Sequence, residues 1–258
     1  MKKTILYGII IMALGVCLYR CMEILHEETP VDQKIFIIGA STVRYDYDDQ
    51  RMGWGTALIN TYMKVPQDGF NEARRGATAQ SYREMNSSIK KHKGAAYWQQ
   101  TKALIEQQHA PKGSYLLIQF GGNDKIQKVP KVTFQKALKS YINEARALGI
   151  TPVLISPVET RLKLKGGKAY HSRGDYPAYM RELAYQERVL FLDLNGKSYK
   201  EYQRLTQEAL DDRFGAIVYP NGRIDRTHFA PKGAKIVAGW VRELACEKDG
   251  KLCELFSE

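Results

Sequence analysis

Lys34-Ile35-Phe36-Ile37-Ile38-Gly39-Ala40-Ser41-Thr42 decides how this chain folds: an unbroken apolar run, rich in β-branched isoleucine, leads directly into a turn of small residues. A strand without a polar residue on either face is buried on both faces, as strands are in parallel sheets covered by helices. The Gly39-Ala40-Ser41 turn then puts the Ser41 hydroxyl at the carboxyl end of the strand, where open α/β sheets bind their ligands.

Outward from this strand, helical and extended patterns alternate. Residues 54–65 read as a helix and 69–73 as a short strand; 79–91 and 97–109 read as helices, and 114–120 as a strand. A long helix over 132–148 stops at Gly149, and a strand over 151–156 leads to a Lys/Gly/Tyr-rich loop over 160–175. Helices over 176–187 and 198–210, a strand over 189–192 between them, and a last helix over 231–244 opened by Pro231 complete the pattern. The alternation predicts an α/β fold, a mainly parallel sheet covered on both faces, with no second domain boundary after residue 33.

The chain has 258 residues, 44% of them hydrophobic and 26% charged, which is the composition of a globular protein rather than a disordered one. Its beginning differs from the rest. Lys2 and Lys3 precede an uncharged apolar run over 4–19 that ends at Arg20, so residues 1–25 are expected to be a membrane anchor or signal segment. Residues 26–32 are then a linker and 33–258 the folded domain, on the periplasmic or cell-surface side. Small residues suited to cleavage are poorly placed, which favours a retained anchor, and Val16 before Cys17 and Arg20 before Cys21 do not suit a lipidation site.

The formal charge is +11, and residues 1–30 hold three basic and three acidic side chains, so the excess belongs to the domain. Such a field favours polyanions or an anionic surface. No zinc finger or RNP aromatic motif is present, so the expected partner is an acidic polysaccharide and not a nucleic acid, the alternative being a merely solvated basic surface. Cys246 and Cys253 are expected to form a disulfide in an oxidising compartment. Neither a metal nor another cofactor is indicated by the Cys and His spacing, and the oligomeric state is left open.

Three further motifs fall at the same edge of the predicted sheet or in the loop before the last helix. In Asp225-Arg226-Thr227-His228 a carboxylate three residues ahead of an imidazole can accept a hydrogen bond from its Nδ1 proton, orienting the ring as a base. Phe120-Gly121-Gly122-Asn123-Asp124 closes another strand, and Asn71 to Gly76 brings a bare glycine N–H that could face an oxyanion. The loop over 159–176 holds Arg161, Tyr170 and Arg173, candidates to contact a sugar chain by stacking and by pairing with uronate carboxylates; a mobile, solvated loop is the other reading.

In order and local context, Ser41, Gly76, Asn123 and His228 resemble the four blocks of the SGNH (GDSL-like) hydrolases, over roughly residues 33–245. Ser41-Thr42-Val43, Gly53-Trp54-Gly55, Asn71 with Ala73 and Gly76, and Thr227-His228-Phe229 look most like the rhamnogalacturonan acetylesterase group. The resemblance implies a three-layer α/β/α sandwich with a flavodoxin-like sheet, and a serine esterase acting on acetyl or other short acyl esters of a polysaccharide. It also implies Ser41 as nucleophile, His228 as base oriented by Asp225, and an oxyanion hole from the Ser41 and Gly76 N–H groups and the Asn123 amide. An O-acetyltransferase with the same triad, or a catalytically silent glycan-binding envelope protein, are the alternatives. Two positions depart from the family: Ala40 stands where an aspartate usually supports the serine loop, and Gly122 where a histidine often precedes Asn-Asp.

Overall fold

Alternate side chains of β1 (Ile35–Gly39) enter two different cores. Ile35 and Ile37 pack into one, Phe36 and Ile38 into the other, and all four are fully buried. β3 (Tyr115–Gln119) and β4 (Thr151–Ile155) divide in the same way, with Leu117, Val153 and Ile155 on the first side and Leu116, Ile118 and Leu154 on the second. The helices 54–62 and 231–248 cover the first core; 97–107, 131–147 and 176–187 cover the second. The result is the three-layer sandwich.

This is a computed structural model, and it describes residues 33–44, 50–84, 96–164 and 166–257. The expected targeting segment 1–25 and linker 26–32 lie outside the described residues. Among the described residues no helix is long and apolar enough to cross a membrane.

With β2 (Gly69–Asn71) and β5 (Leu190–Leu192), the sheet runs in the order β2-β1-β3-β4-β5, and every pairing is parallel. This is the flavodoxin-like order. The chain reverses its direction of winding between β1 and β3, which opens a crevice beyond their carboxyl ends. Ser41 follows β1 and Asn123 follows β3, so both stand at that switch point.

Several elements differ from the sequence pattern, each for a local reason. The helix expected over 79–91 is absent from 79–84, and 85–91 lie outside the described residues. There the Thr78 and Ser81 side chains bond each other and accept each other's backbone N–H groups, in competition with a helical ladder. The helix expected over 198–210 is two helices, Leu194–Gln203 and Gln207–Phe214. Asp193 and Thr206 cap them, accepting from the N–H groups of Gly196 and Ala209. A hairpin of β6 (Ile217–Val218) and β7 (Ile224–Asp225) is too short to leave a sequence pattern.

The last long helix, Pro231–Lys248, is tied to the short helix after it by a disulfide between Cys246 and Cys253. The cross-link closes a short loop, which the chain-entropy account values at about 2–3 kcal/mol. Replacing both cysteines with serine is therefore expected to lower the unfolding free energy by about 2–3 kcal/mol in urea denaturation, and reductant is expected to do the same to the wild type alone.

Candidate active site

The turn after β1 is held from outside by backbone groups. The N–H groups of Val43 and Arg44 both donate to the Ala40 carbonyl at 3.1 Å, which makes the turn itself. The start of the 54–62 helix is then laid against it: Gly53, Trp54 and Gly55 donate to the carbonyls of Arg44, Thr42 and Val43 at 3.0, 3.0 and 3.2 Å. A Cβ at Gly53 would stand 2.1 Å from the Arg44 oxygen, so only glycine allows this approach. Asn71 Nδ2 adds a bond to the Val43 carbonyl at 2.7 Å. Thr42 Oγ1 and the buried Trp54 indole both donate to Gln119 Oε1, and Gln119 Nε2 donates to the Ser156 carbonyl. These contacts order the loop with an alanine at position 40.

His228 arrives from the other direction. The β6–β7 hairpin ends at Asp225, whose Oδ1 accepts from the N–H groups of Thr227 and His228 at 2.9 and 3.0 Å. Its Oδ2 accepts from the Tyr219 hydroxyl at 2.6 Å and lies 2.8 Å from His228 Nδ1. Burial alone would push the Asp225 carboxyl up, but the hydrogen bonds from His228 and Tyr219 outweigh it and hold it well below the usual carboxylate range. An ionised Asp225 fixes the proton on Nδ1 and leaves Nε2 as an acceptor. His228 Nε2 is 3.0 Å from Ser41 Oγ, a contact across 187 residues of sequence. Met52 N–H donates to the Phe229 carbonyl at 2.9 Å, so the segment that holds the Ser41 turn also holds the His228 loop.

The third wall is built from β3 and the segment after β2. Asn123 Nδ2 donates to the Ala77 carbonyl at 2.9 Å, which leaves its second amide proton for another acceptor. Gly76 has φ +75 with nothing within 4 Å of a would-be Cβ, so glycine is required by conformation and not by space. The fully buried Asp124 accepts from the N–H groups of Ala79 and Gly121, each at 2.9 Å, and so ties the Gly76 segment to the Asn123 turn. Burial pushes its carboxyl up to about 6, against the backbone N–H groups of Ala79, Gly121 and Asp124 itself.

The loop over 159–176 is exposed over much of its length but anchored by buried side chains near both ends. Glu159, Arg161, Ser172 and Arg173 are buried in it. Arg161, a candidate for sugar contact by sequence, is 1% exposed and lies beneath the His228 loop instead. Its Nη2 donates to the carbonyls of Asp225 and His228 at 2.9 and 2.8 Å, so it positions that loop and cannot reach a ligand. The Tyr170 backbone N–H bonds back to the Leu162 carbonyl within the loop, and its side chain is partly exposed. Arg173 does line it, with Ser41, Gly122, Asn123, Pro157 and Thr227. Tyr219 and Asp124 were not singled out by sequence: the first depends on a two-residue hairpin, and the second is the unremarked last residue of the Gly-Gly-Asn-Asp motif.

Comparison with known proteins shows what the chain as a whole is similar to. The sequence model described as GDSL-like Lipase/Acylhydrolase matches residues 35–241. The rhamnogalacturonan acetylesterase RhgT of Bacillus subtilis (strain 168) is 31% identical over 223 residues, covering 81% of this chain and 88% of its own. The probable rhamnogalacturonan acetylesterase YesY of the same organism is 28% identical, covering 81% and 93%. Among solved structures, the B. subtilis protein YxiM superposes with a TM-score of 0.66 at 22% identity over 83% of this chain, which spans 56% of that protein's length. Axe2, an acetylxylan esterase from Geobacillus stearothermophilus, superposes with a TM-score of 0.54 at 16% identity over 82% of this chain and 93% of its own. At these identities the structural matches speak for the fold.

Two outcomes follow from the packing described. Gly53→Ala forces Cβ into the Arg44 carbonyl, and is expected to cost about 1–3 kcal/mol of stability in thermal or urea unfolding. Asp124 holds its proton more tightly in the folded protein than in the unfolded chain, so the stability it contributes is present below about pH 4 and is lost as pH rises through about 6. Between pH 4 and 7 the wild type should therefore lose up to about 3 kcal/mol of unfolding free energy relative to Asp124→Asn. Parallel urea curves at each pH check this; a flat difference would contradict it.

Proposed function

This chain belongs to the GDSL-like lipase/acylhydrolase family and is a carboxylic ester hydrolase, and on that premise we propose that it removes acetyl groups from a polysaccharide through an acyl-enzyme on Ser41. The observation that carries the proposal is the line Ser41 Oγ, His228 Nε2, His228 Nδ1 and Asp225 Oδ2, with contacts of 3.0 and 2.8 Å. His228 takes the hydroxyl proton as Ser41 attacks the ester carbonyl, and the ionised Asp225 stabilises the imidazolium that results. The tetrahedral oxyanion is held by the N–H groups of Ser41 and Gly76 and the free amide proton of Asn123. His228 gives that proton to the departing sugar oxygen, which leaves as a hydroxyl, then activates a water that hydrolyses the acyl-enzyme.

The acetyl group and the polysaccharide are supported by the two B. subtilis relatives, both named as rhamnogalacturonan acetylesterases, and by the basic excess of the domain, which suits an acidic glycan. A silent glycan-binding role has no need of an aligned serine, imidazole and carboxylate. Export to the periplasmic or cell-surface side, with residues 1–25 as the anchor, is supported by the Lys2-Lys3 and apolar pattern and by the Cys246–Cys253 disulfide.

Release of acetate from 4-nitrophenyl acetate and from acetylated rhamnogalacturonan tests the reading. Ser41→Ala is expected to lower kcat/KM by about 10⁴-fold or more, and Asn123→Ala to lower kcat by about 10²–10³-fold. Equal activity in the wild type and Ser41→Ala would overturn it.

A further inference from the structure

The cleft beside Ser41 contains a cation for which the ester chemistry has no use. Arg173 is 5% exposed; its Nε donates to the Val158 carbonyl at 2.6 Å, and its two Nη groups have no hydrogen bond or ion pair among the described residues. Arg161, the other buried arginine of this loop, has Nε and Nη1 sealed in protein, whereas the Arg173 guanidinium lines the cleft. The nearby acid, Glu159, acts on it through space but makes no ion pair with it. Its carboxylate is occupied by Ser172 N–H and Oγ and by Asn195 Nδ2, with His171 Nδ1 at 3.6 Å. Burial accordingly pushes the Arg173 guanidinium down, and the more distant Glu159 only partly opposes this.

Gly122 explains how the cation reaches this position. A Cβ there would stand 3.2 Å from Arg173 Nη1, so the space a side chain at 122 would fill is taken by the guanidinium, next to Asn123. The departure at Gly122 and the buried arginine are two halves of one arrangement. A buried guanidinium with two unbonded Nη groups gains from a ligand that brings an opposite charge to them. A planar guanidinium with two free donor groups fits a carboxylate in bidentate fashion.

We propose that Arg173 forms a carboxylate-binding subsite beside Ser41, so that the preferred substrates are esters bearing an anionic group close to the scissile bond. The inference rests on the reading of Ser41 as the nucleophile. A carboxylate can reach Arg173 from either side of the ester, as a uronate in the sugar or as the far end of a dicarboxylic acyl chain.

The full-length protein is assayed on two matched pairs: acetylated oligogalacturonide against the same oligomer with its carboxyls methyl-esterified, and 4-nitrophenyl hemisuccinate against 4-nitrophenyl acetate. The wild type is expected to prefer the anionic member of one pair by about tenfold or more in kcat/KM, a preference that shrinks with added salt. The pair that discriminates identifies the source of the carboxylate. Arg173→Gln should abolish the preference and Arg173→Lys should keep part of it. If neither pair is discriminated by the wild type, or if the preference survives in Arg173→Gln, the subsite is overturned. Should Arg173→Gln fail to fold, the wild-type ratios and their salt dependence decide. Absence of a preference with Ser41-dependent acetate release intact removes the subsite alone; release that persists in Ser41→Ala removes the esterase reading beneath it.

Discussion

The cleft depends on residues 52–55 being laid against two loops at once. Three successive backbone donors, Gly53 to Gly55, bond the carbonyls of the Ser41 turn, while Met52 N–H bonds the Phe229 carbonyl in the His228 loop. Serine and imidazole come from opposite ends of the chain and meet at 3.0 Å because one short segment fixes both. The approach is backbone to backbone, so it tolerates no Cβ at Gly53. It also accounts for the missing carboxylate at Ala40: the loop is ordered by amides of the neighbouring helix start and by Gln119 and Asn71.

Charge around the cleft is sorted by environment more than by residue type. Asp225 and Asp124 are both withdrawn from water, yet one is held ionised by a histidine and a tyrosine, and the other is pushed towards its neutral form by burial that backbone amides only partly offset. The first suits a group that would stabilise an imidazolium; the second ties the Gly76 segment to the Asn123 turn. The arginines of the 159–176 loop divide likewise. Arg161 is bonded to the carbonyls of Asp225 and His228 and acts as a brace, while Arg173 opens onto the cleft beside Gly122.

The parts of this structure legible in the sequence are those that repeat locally. The all-apolar β1 and the alternation of strands and helices carry the three-layer fold, because a strand buried on both faces leaves a direct mark on composition. Ser41, Asn123, Asp225 and His228 were legible because each stands in a short motif at the end of a strand or hairpin. The split near 204–206 and the turns over 79–84 were not, since single capping or turn side chains decide them against the helical period. Tyr219, Arg161 and the pairing of Gly122 with Arg173 were illegible for a different reason. Their roles arise from a very short hairpin or from contacts 51 and more residues apart, and nothing local distinguishes a bracing arginine from one that faces a ligand.

The central claim is that Ser41 is activated by His228 to attack a carbonyl. Intact-mass and peptide-level mass spectrometry after brief treatment with a fluorophosphonate at neutral pH tests it most directly, because on brief exposure the reagent phosphonylates a serine whose proton is being removed far faster than an ordinary hydroxyl. The account predicts a single adduct on Ser41, absent from Ser41→Ala and formed far more slowly in His228→Ala. An unlabelled Ser41, or labelling at an unchanged rate without His228, would contradict it.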